Sequence, residues 1–404
     1  MNAVGIDVSK GKSMVCIMKP FGEVVVSPFE VNHTASELGK LAKLLRSLDG
    51  ETRVVMEYTG NYYLPIAWAL HDEGFYVSVV NAMLVHNYGN NSLRRAKTDK
   101  KDAIKLANYA IDRWLFLPQY FPEEDVRQML KTFHRQYNLY MKLKVMQRNN
   151  LIALLDQTFP DVNKLFKSPP RKKDGHEKWM DFAARFWHCE CVCGHSVETF
   201  SKLYRKWCEH SGYYFDEEKA LDVYASACGH IGLMPKTEAA ELLVTQAIAQ
   251  LQAVSQTLAA VQREMHLLAA KLPEYNTVMS MYGVGPTLGS QLMAEIGDVR
   301  RFHSKGALIA FSGIDAPPYQ SGTVDVKSRS MSKRGAAPLR KTLFQVMEVI
   351  IQNAPADEPV YQFMDKKRTE GKHYYVYMMA SANKFLRIYY ARVKECLNAI
   401  DGNT

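Results

Sequence analysis

The chain has 404 residues, 47% of them hydrophobic and 23% charged, with a formal net charge of +9. This length allows two or three domains with their own cores, and this balance excludes a disordered or disulfide-stapled class. The positive charge favours polyanionic partners, nucleic acid before an anionic membrane surface, and no apolar run approaches the ~20 residues needed to span a bilayer.

The N-terminal MNAVGIDVSKGK starts on a strand-like stretch with an acid inside it, unlike a signal peptide, so a cytoplasmic location is expected. NAVGIDV, KSMVCIM and EVVVSPFEV are rich in Val and Ile and are broken by glycine punctuation, which predicts three consecutive strands. SELGKLAKLLRSL carries Leu38, Leu41, Leu44, Leu45 and Leu48 at helical spacing. TRVVME then reads as a strand, residues 62–73 as a helix, FYVSVVN as a strand and residues 99–113 as a helix. This βββαβαβα order is that of the ribonuclease H-like fold, so the fold class expected for residues 1–118 is α/β.

Four acids fall at telling places in that order. Asp7 lies in the first strand, Glu57 closes the fourth, and Asp99 with Asp102 open the last helix, within KTDKKDA. A carboxylate in a buried strand is costly unless it is paired, hydrogen-bonded or bound to metal. Asp99 and Asp102, at i and i+3, share one helix face. Taken alone, they are also what a helix start with Thr98 as N-cap would carry. With Asp7 and Glu57 they suggest a divalent-metal site for phosphodiester chemistry. Arg94, Arg95, Lys97, Lys100 and Lys101 surround them as candidate phosphate contacts.

Residues 123–157 and 237–271 read as long helices. The second carries Leu or Val at 243, 244, 251, 254, 258 and 261, the pattern of a dimerising arm or of a helix packed on its own chain. Residues 160–235, between them, open on the linker-like SPPRKKDGHEK and give no readable function. The seven cysteines read as reduced thiols. Cys189, Cys191 and Cys193 in HCECVCGH lack the C-x2-C spacing that wraps zinc easily, although Cys208, His210, Cys228 and His230 leave such a site open.

The C-terminal third, expected to be mainly helical, opens with MYGVGPTLGSQLMAEIG. Its Gly283 and Gly285 permit a tight interhelical turn of helix-hairpin-helix type, whose next helix start can hold a phosphate. A serine-rich loop follows, with Ser321, Ser328, Ser330 and Ser332, and runs into the basic residues Lys327, Arg329, Lys333, Arg334, Arg340 and Lys341. With Asp325 as their one acidic neighbour, these cations point to phosphate contact. Composition alone selects no nucleophile among the serines.

VGIDVSK, MEYTGNYY and KTDKKDA together resemble the DEDD signature of bacterial insertion-sequence transposases whose N-terminal domain is RuvC-like, and Y-Q-S-G followed by M-S-K-R-G-A-A-P-L-R resembles the same family's second domain. The resemblance covers roughly residues 1–115 and 275–397, with residues 119–274 as a helical or coiled-coil arm bearing an insertion. It implies Asp7, Glu57, Asp99 and Asp102 as catalytic metal ligands for Mg2+ or Mn2+, and Ser321 as the nucleophile that yields a 5′-phosphoserine. It also implies donor and target DNA as partners, a structured bridge RNA as guide, and a homodimer or homotetramer in the bacterial cytoplasm, at the nucleoid when active. The residue chemistry also admits a metal-dependent junction resolvase or endonuclease that uses water. A non-catalytic binding module is disfavoured, because four acids would weaken nucleic-acid binding for no return.

Overall fold

Five strands form one sheet: β1 (Asn2–Ser9), β2 (Lys12–Met18), β3 (Val24–Asn32), β4 (Thr52–Glu57) and β5 (Tyr76–Val80). Their order is β3-β2-β1-β4-β5, with β1, β4 and β5 parallel and β2 antiparallel to both its neighbours. The computed structural model describes residues 1–88, 98–171, 175–317, 320–321, 324–325 and 330–402. The chain divides into two units, Met1–Glu123 and Glu124–Thr404.

In the first unit the two sheet faces separate by strand alternation. Val4, Ile6, Val8, Val54 and Met56 pack with α1 (Ala35–Arg46) and α2 (Leu64–Asp72). Leu38, Leu41 and Leu45 are buried there, as the helical spacing predicts. Ala3 and Val55 face the other way, against Leu106 and Ala110 of α4 (Asp99–Asp112). A short α3 (Ala82–Asn87), not expected from sequence, precedes α4 and is capped by the Asn81 side chain. Gly5 lets α4 lie unusually close: a Cβ there would come within 2.1 Å of the Ala103 carbonyl oxygen and 2.3 Å of the Ala107 nitrogen.

The second unit is helical apart from one small ladder. α5 (Asp125–Thr158) and α10 (Glu238–Ala270), of 34 and 33 residues, run antiparallel for about 50 Å at 1.5 Å per residue. One end shares a core with the insertion, where Leu151 and Leu155 meet Val244 and Ile248. The other joins the C-terminal core, where Leu130 meets Met265 and Ala269. There Arg127, buried, makes a two-pronged ion pair with the buried Glu274. The predicted arm pattern is thus divided. Val244, Leu251 and Leu258 are consumed by packing within the chain, while Leu243 of α10 and Leu139, Val145 and Met146 of α5 remain exposed.

Residues 160–235, unreadable in sequence, fold as α6 (Lys178–Arg185), α7 (Glu190–Cys193), α8 (Val197–Ser211) and α9 (Glu217–Gly229) around an aromatic core. Phe182 is its centre, stacked on Phe186 at 4.8 Å and edge-on to Trp207 at 5.5 Å. Cys189 and Cys208 are buried thiols of that core. The C-terminal part continues with α11 (Tyr275–Met279), α12 (Pro286–Ile296), α13 (Lys305–Ser312), the two-residue strands β6 (Gln320–Ser321) and β7 (Val324–Asp325), α14 (Ala337–Asn353), α15 (Pro359–Thr369) and α16 (Tyr374–Asp401). Gly283 takes the positive φ of +77° that the turn between α11 and α12 requires, and a Cβ there would press on Ile350 at 2.8 Å. No helix among the described residues is long and apolar enough to cross a membrane.

Candidate active site

The carboxylates of the first unit are placed by register. Ile6 pairs with Met56 in the parallel β1–β4 ladder, so Asp7 and Glu57, one residue further along each strand, stand side by side; Glu57 ends β4, while β1 runs on past Asp7 to Ser9. At the usual strand spacing they stand about 4.8 Å apart along the hydrogen-bonding direction. By alternation both share the face of Gly5 and Val55, which α4 covers. Both are half-buried rather than sealed in the sheet. The strand carboxylate expected to be buried therefore sits where the β1–β4 pairing ends, although β1 stays paired with β2, and its partial exposure lowers its desolvation cost.

α4 brings the other two acids to the same edge. Thr98 caps it by accepting from the Lys101 amide, so the capping role expected of KTDKKDA is real and coexists with the placement of its acids. Asp99 lies one and two turns before the buried Ala103 and Ala107, and Asp102 one and two turns before the buried Leu106 and Ala110. The two carboxylates thus extend the sheet-facing stripes of the helix beyond its packed part. Lys12 lies opposite Ser9 where β1 ends. Its ammonium is held above the usual lysine range chiefly by a hydrogen bond and charge from Glu30, with Asp99 adding to the same effect. Gly5 faces Ala103 and Ala107 while Ala3 packs with Leu106 and Ala110, so α4 begins at the end where β1 finishes. Lys12 is a charged neighbour of this edge that motif reading missed, and its place one hairpin turn from Asp7 was the available signal.

Among the described residues no three His, Cys, Asp or Glu side chains converge closely enough to hold a metal ion. The edge is therefore a set of carboxylates on a common rim, with Asp99 exposed and Asp102 half-buried, rather than a closed ligand shell. Lys100 and Lys101 are exposed beside it. Arg94, Arg95 and Lys97 lie outside the described residues.

In the second unit, Ser321 pairs with Val324 and Gln320 with Asp325 in the β6–β7 ladder. Lys327, Ser328 and Arg329 lie outside the described residues. The segment carrying Ser321 is closed at its base by a neck. Ser332 donates its hydroxyl to the Asp315 carboxylate and its amide to the Asp315 carbonyl at 2.8 Å. Lys333, at φ +54°, donates its amide to the Gly313 carbonyl at 3.0 Å. Only glycine fits at the crossing: a Cβ on Gly335 would come within 2.2 Å of the Phe311 carbonyl oxygen and 2.7 Å of the Gly313 nitrogen.

The cations expected to meet phosphate divide in two. Lys333 and Arg334 are exposed and make no ion pair among the described residues. Arg340 is half-buried and donates to the carbonyls of Ser312 at 3.0 Å and Gly335 at 3.1 Å. Its guanidinium therefore helps to shape the neck. A basic run cannot reveal this, because the carbonyls it serves lie in two other segments.

Comparison with known proteins converges with this geometry. A family model described as "Transposase" matches residues 4–160, and one described as "Transposase IS116/IS110/IS902 family" matches residues 275–362, together more than half of the chain. The 44.8 kDa protein of insertion element IS116 from Streptomyces clavuligerus is 25% identical over 327 residues, which are 79% of this chain and 77% of that protein. The pilin gene-inverting protein of Moraxella bovis is 27% identical over 128 residues, 31% of this chain and 39% of its own length. The 43.6 kDa protein of insertion element IS110 from Streptomyces coelicolor is 21% identical over 174 residues, 43% of this chain and 42% of its own length.

Proposed function

We propose that this chain, which belongs to the IS110/IS116 family of transposases, cuts and rejoins DNA through a covalent serine intermediate, under the direction of a structured guide RNA. The observation that supports this most is the acidic edge: Asp7 and Glu57 lie side by side on adjacent parallel strands, near the end of β1 and at the end of β4, and the acidic first turn of α4 begins at the same end. The strand order β3-β2-β1-β4-β5, with the antiparallel pairs on one side, supports a ribonuclease H-like, RuvC-like reading of the first unit.

All-oxygen carboxylate donors suit a hard divalent cation, so Asp7, Glu57, Asp99 and Asp102 are the residues that would hold Mg2+ or Mn2+. When bound, such an ion lends Lewis acidity to a phosphodiester. The chain's own contribution is the nucleophile and its counter-charges. The Ser321 hydroxyl oxygen attacks phosphorus and loses its proton, and the P–O3′ bond breaks. The departing 3′ oxygen takes up a proton, leaving a 5′-phosphoserine and a free 3′-hydroxyl. Attack by another 3′-hydroxyl reverses the step and frees the serine. Lys333 and Arg334 supply exposed positive charge next to the loop.

The acids and Ser321 belong to different units of the chain, so we read the working site as composite, assembled in a homodimer or homotetramer on donor and target DNA. Pairing of a guide RNA with both DNAs relieves the protein of base readout, and backbone-directed cations then suffice. The name of the Moraxella relative, a gene-inverting protein, supports an enzyme that rejoins as well as cuts.

The test is a nicked suicide substrate offered with and without the non-coding RNA encoded beside the gene, followed by denaturing electrophoresis and peptide mapping. Protein-linked DNA that maps to Ser321, and that is lost without the RNA, is expected. Cleaved DNA with no protein-linked species would make water the nucleophile and overturn the reading.

A further inference from the structure

We propose that the helical insertion carries its own binding site for a single-stranded polynucleotide, in a pocket of 640 Å³ lined by Lys164, Lys167, Lys178, Lys219, Phe166 and Tyr214. This rests on the reading of the chain as a nucleic-acid enzyme, but it concerns a region far in sequence from both the acids and Ser321.

The argument begins with Lys178, the first residue of α6. It is half-buried, and its ammonium lies 5.4, 5.6 and 5.5 Å from the ring centroids of Phe166, Tyr204 and Tyr213. It donates to the Tyr214 carbonyl at 3.2 Å and forms no ion pair among the described residues. Burial pushes its pKa below the usual lysine range. A desolvated ammonium in an aromatic surround, with donors to spare and no carboxylate against it, gains most from an incoming anion.

The acids of the same wall do not supply that anion. Asp216 acts on Lys178 through its charge but makes no ion pair with it, and is turned to the start of α9, where it accepts from the Glu218 amide at 3.1 Å. Asp222 meets Lys219 at 3.5 Å on the exposed rim. Lys164 is held by Asp161 at 2.6 Å, whereas Lys167 is exposed and makes no ion pair among the described residues. Two cations, Lys167 and Lys178, thus remain available for phosphate.

Beside them Tyr214 is 86% exposed, although its neighbours Tyr213 and Phe215 are packed against the insertion core. A large aromatic side chain left in water next to uncommitted lysines is the combination that holds single strands: the ring stacks a base and the cations track the backbone. A duplex keeps its bases stacked on each other and offers no face to Tyr214. Ribose and deoxyribose strands share this chemistry, so guide RNA and displaced DNA are the two possible sources.

The experiment uses the full-length protein with short 5-iodouracil-substituted single strands in ribo and deoxy forms, photocrosslinked and mapped by mass spectrometry. Binding is measured in parallel by fluorescence anisotropy. Crosslinks on the peptide carrying Tyr214 are expected. Tyr214→Ala should weaken single-strand binding about fivefold to a hundredfold, and Tyr214→Phe should keep it, because stacking needs the ring and not the hydroxyl. Lys167→Ala should reduce the salt slope by less than one ion. The form that binds more tightly identifies the source. Crosslinks confined to other regions, Tyr214→Ala binding like the unmodified protein, or equal competition by a duplex at Tyr214 would overturn the proposal. The serine-adduct assay run on the same preparation keeps the two readings apart: an adduct at Ser321 with no crosslink at Tyr214 sinks this inference alone.

Discussion

Asp7 and Glu57 sit side by side on two hydrogen-bonded strands whose register is locked by a face of buried Val, Ile and Met, whereas Ser321 lies on a segment held at its base by a few hydrogen bonds and two glycines. A slip of one residue in β1 would turn its whole apolar set to the wrong face, so the position of Asp7 is protected by the entire core of the unit. Among the described residues, the neck from Gly313 to Gly335 is what anchors the Ser321 segment. Its geometry depends on the closeness of Gly313 to Gly335 and on Arg340 bridging Ser312 and Gly335. The two regions contrast carboxylates fixed by rigid elements with a segment fixed only at its neck.

The largest effects should come from removing the functional groups themselves, and they should differ in kind. Asp7→Asn, Glu57→Gln, Asp99→Asn and Asp102→Asn should each lower divalent-metal-dependent cleavage by on the order of 10³-fold or more, with thermal unfolding unchanged. Ser321→Ala should bind DNA and RNA normally yet form no protein-linked DNA, while Ser328→Ala, Ser330→Ala and Ser332→Ala still form it. Normal cleavage in any two of the acid variants would remove the acidic edge from the mechanism.

Affinity for nucleic acid should fall by a few orders of magnitude between roughly 50 and 200 mM salt if about five or six phosphates are neutralised. Lys333→Ala and Arg334→Ala should each flatten that slope, and Arg340→Ala should not, since its guanidinium serves carbonyls. A slope insensitive to Lys333 and Arg334 would show that phosphate is held elsewhere.

Two added methyl groups sharpen the comparison further. Gly335→Ala places a Cβ against the Phe311 carbonyl and should cut adduct formation about 10²-fold through misplacement of the loop, with little change in global unfolding. Gly5→Ala drives a Cβ into the backbone of α4 and should cost about 1–3 kcal/mol of stability in the first unit, read by hydrogen exchange in β1 and α4. The reverse assignment, a loop variant that unfolds the protein or a strand variant that alters only chemistry, would refute the contrast. The smallest effect is expected for Arg340→Lys, which keeps the charge but not the two-carbonyl bridge. It should cost about 1 kcal/mol and lower the adduct yield severalfold.

The sequence by itself determined the five strands and α1, α2 and α4 of the first unit, though not the short α3, because period-two and period-3.6 patterns are local and each buries a face against whatever partner the topology provides. KTDKKDA could be read both as a capped helix start and as a pair of acids on one face, and α4 begins at Asp99 with Thr98 as its cap. The long helices before and after the insertion were legible for the same reason. The tertiary structure alone decided what depends on residues distant in the chain. It set Asp7 beside Glu57 at a shared rim, turned Arg340 from a free cation into a clasp, and divided the apolar stripe of α10 between internal packing and exposed leucines. It also made a folded aromatic core and a lysine-lined pocket of residues 160–235, where short helices leave too few turns for periodicity to speak and burial is settled by neighbours distant in the chain.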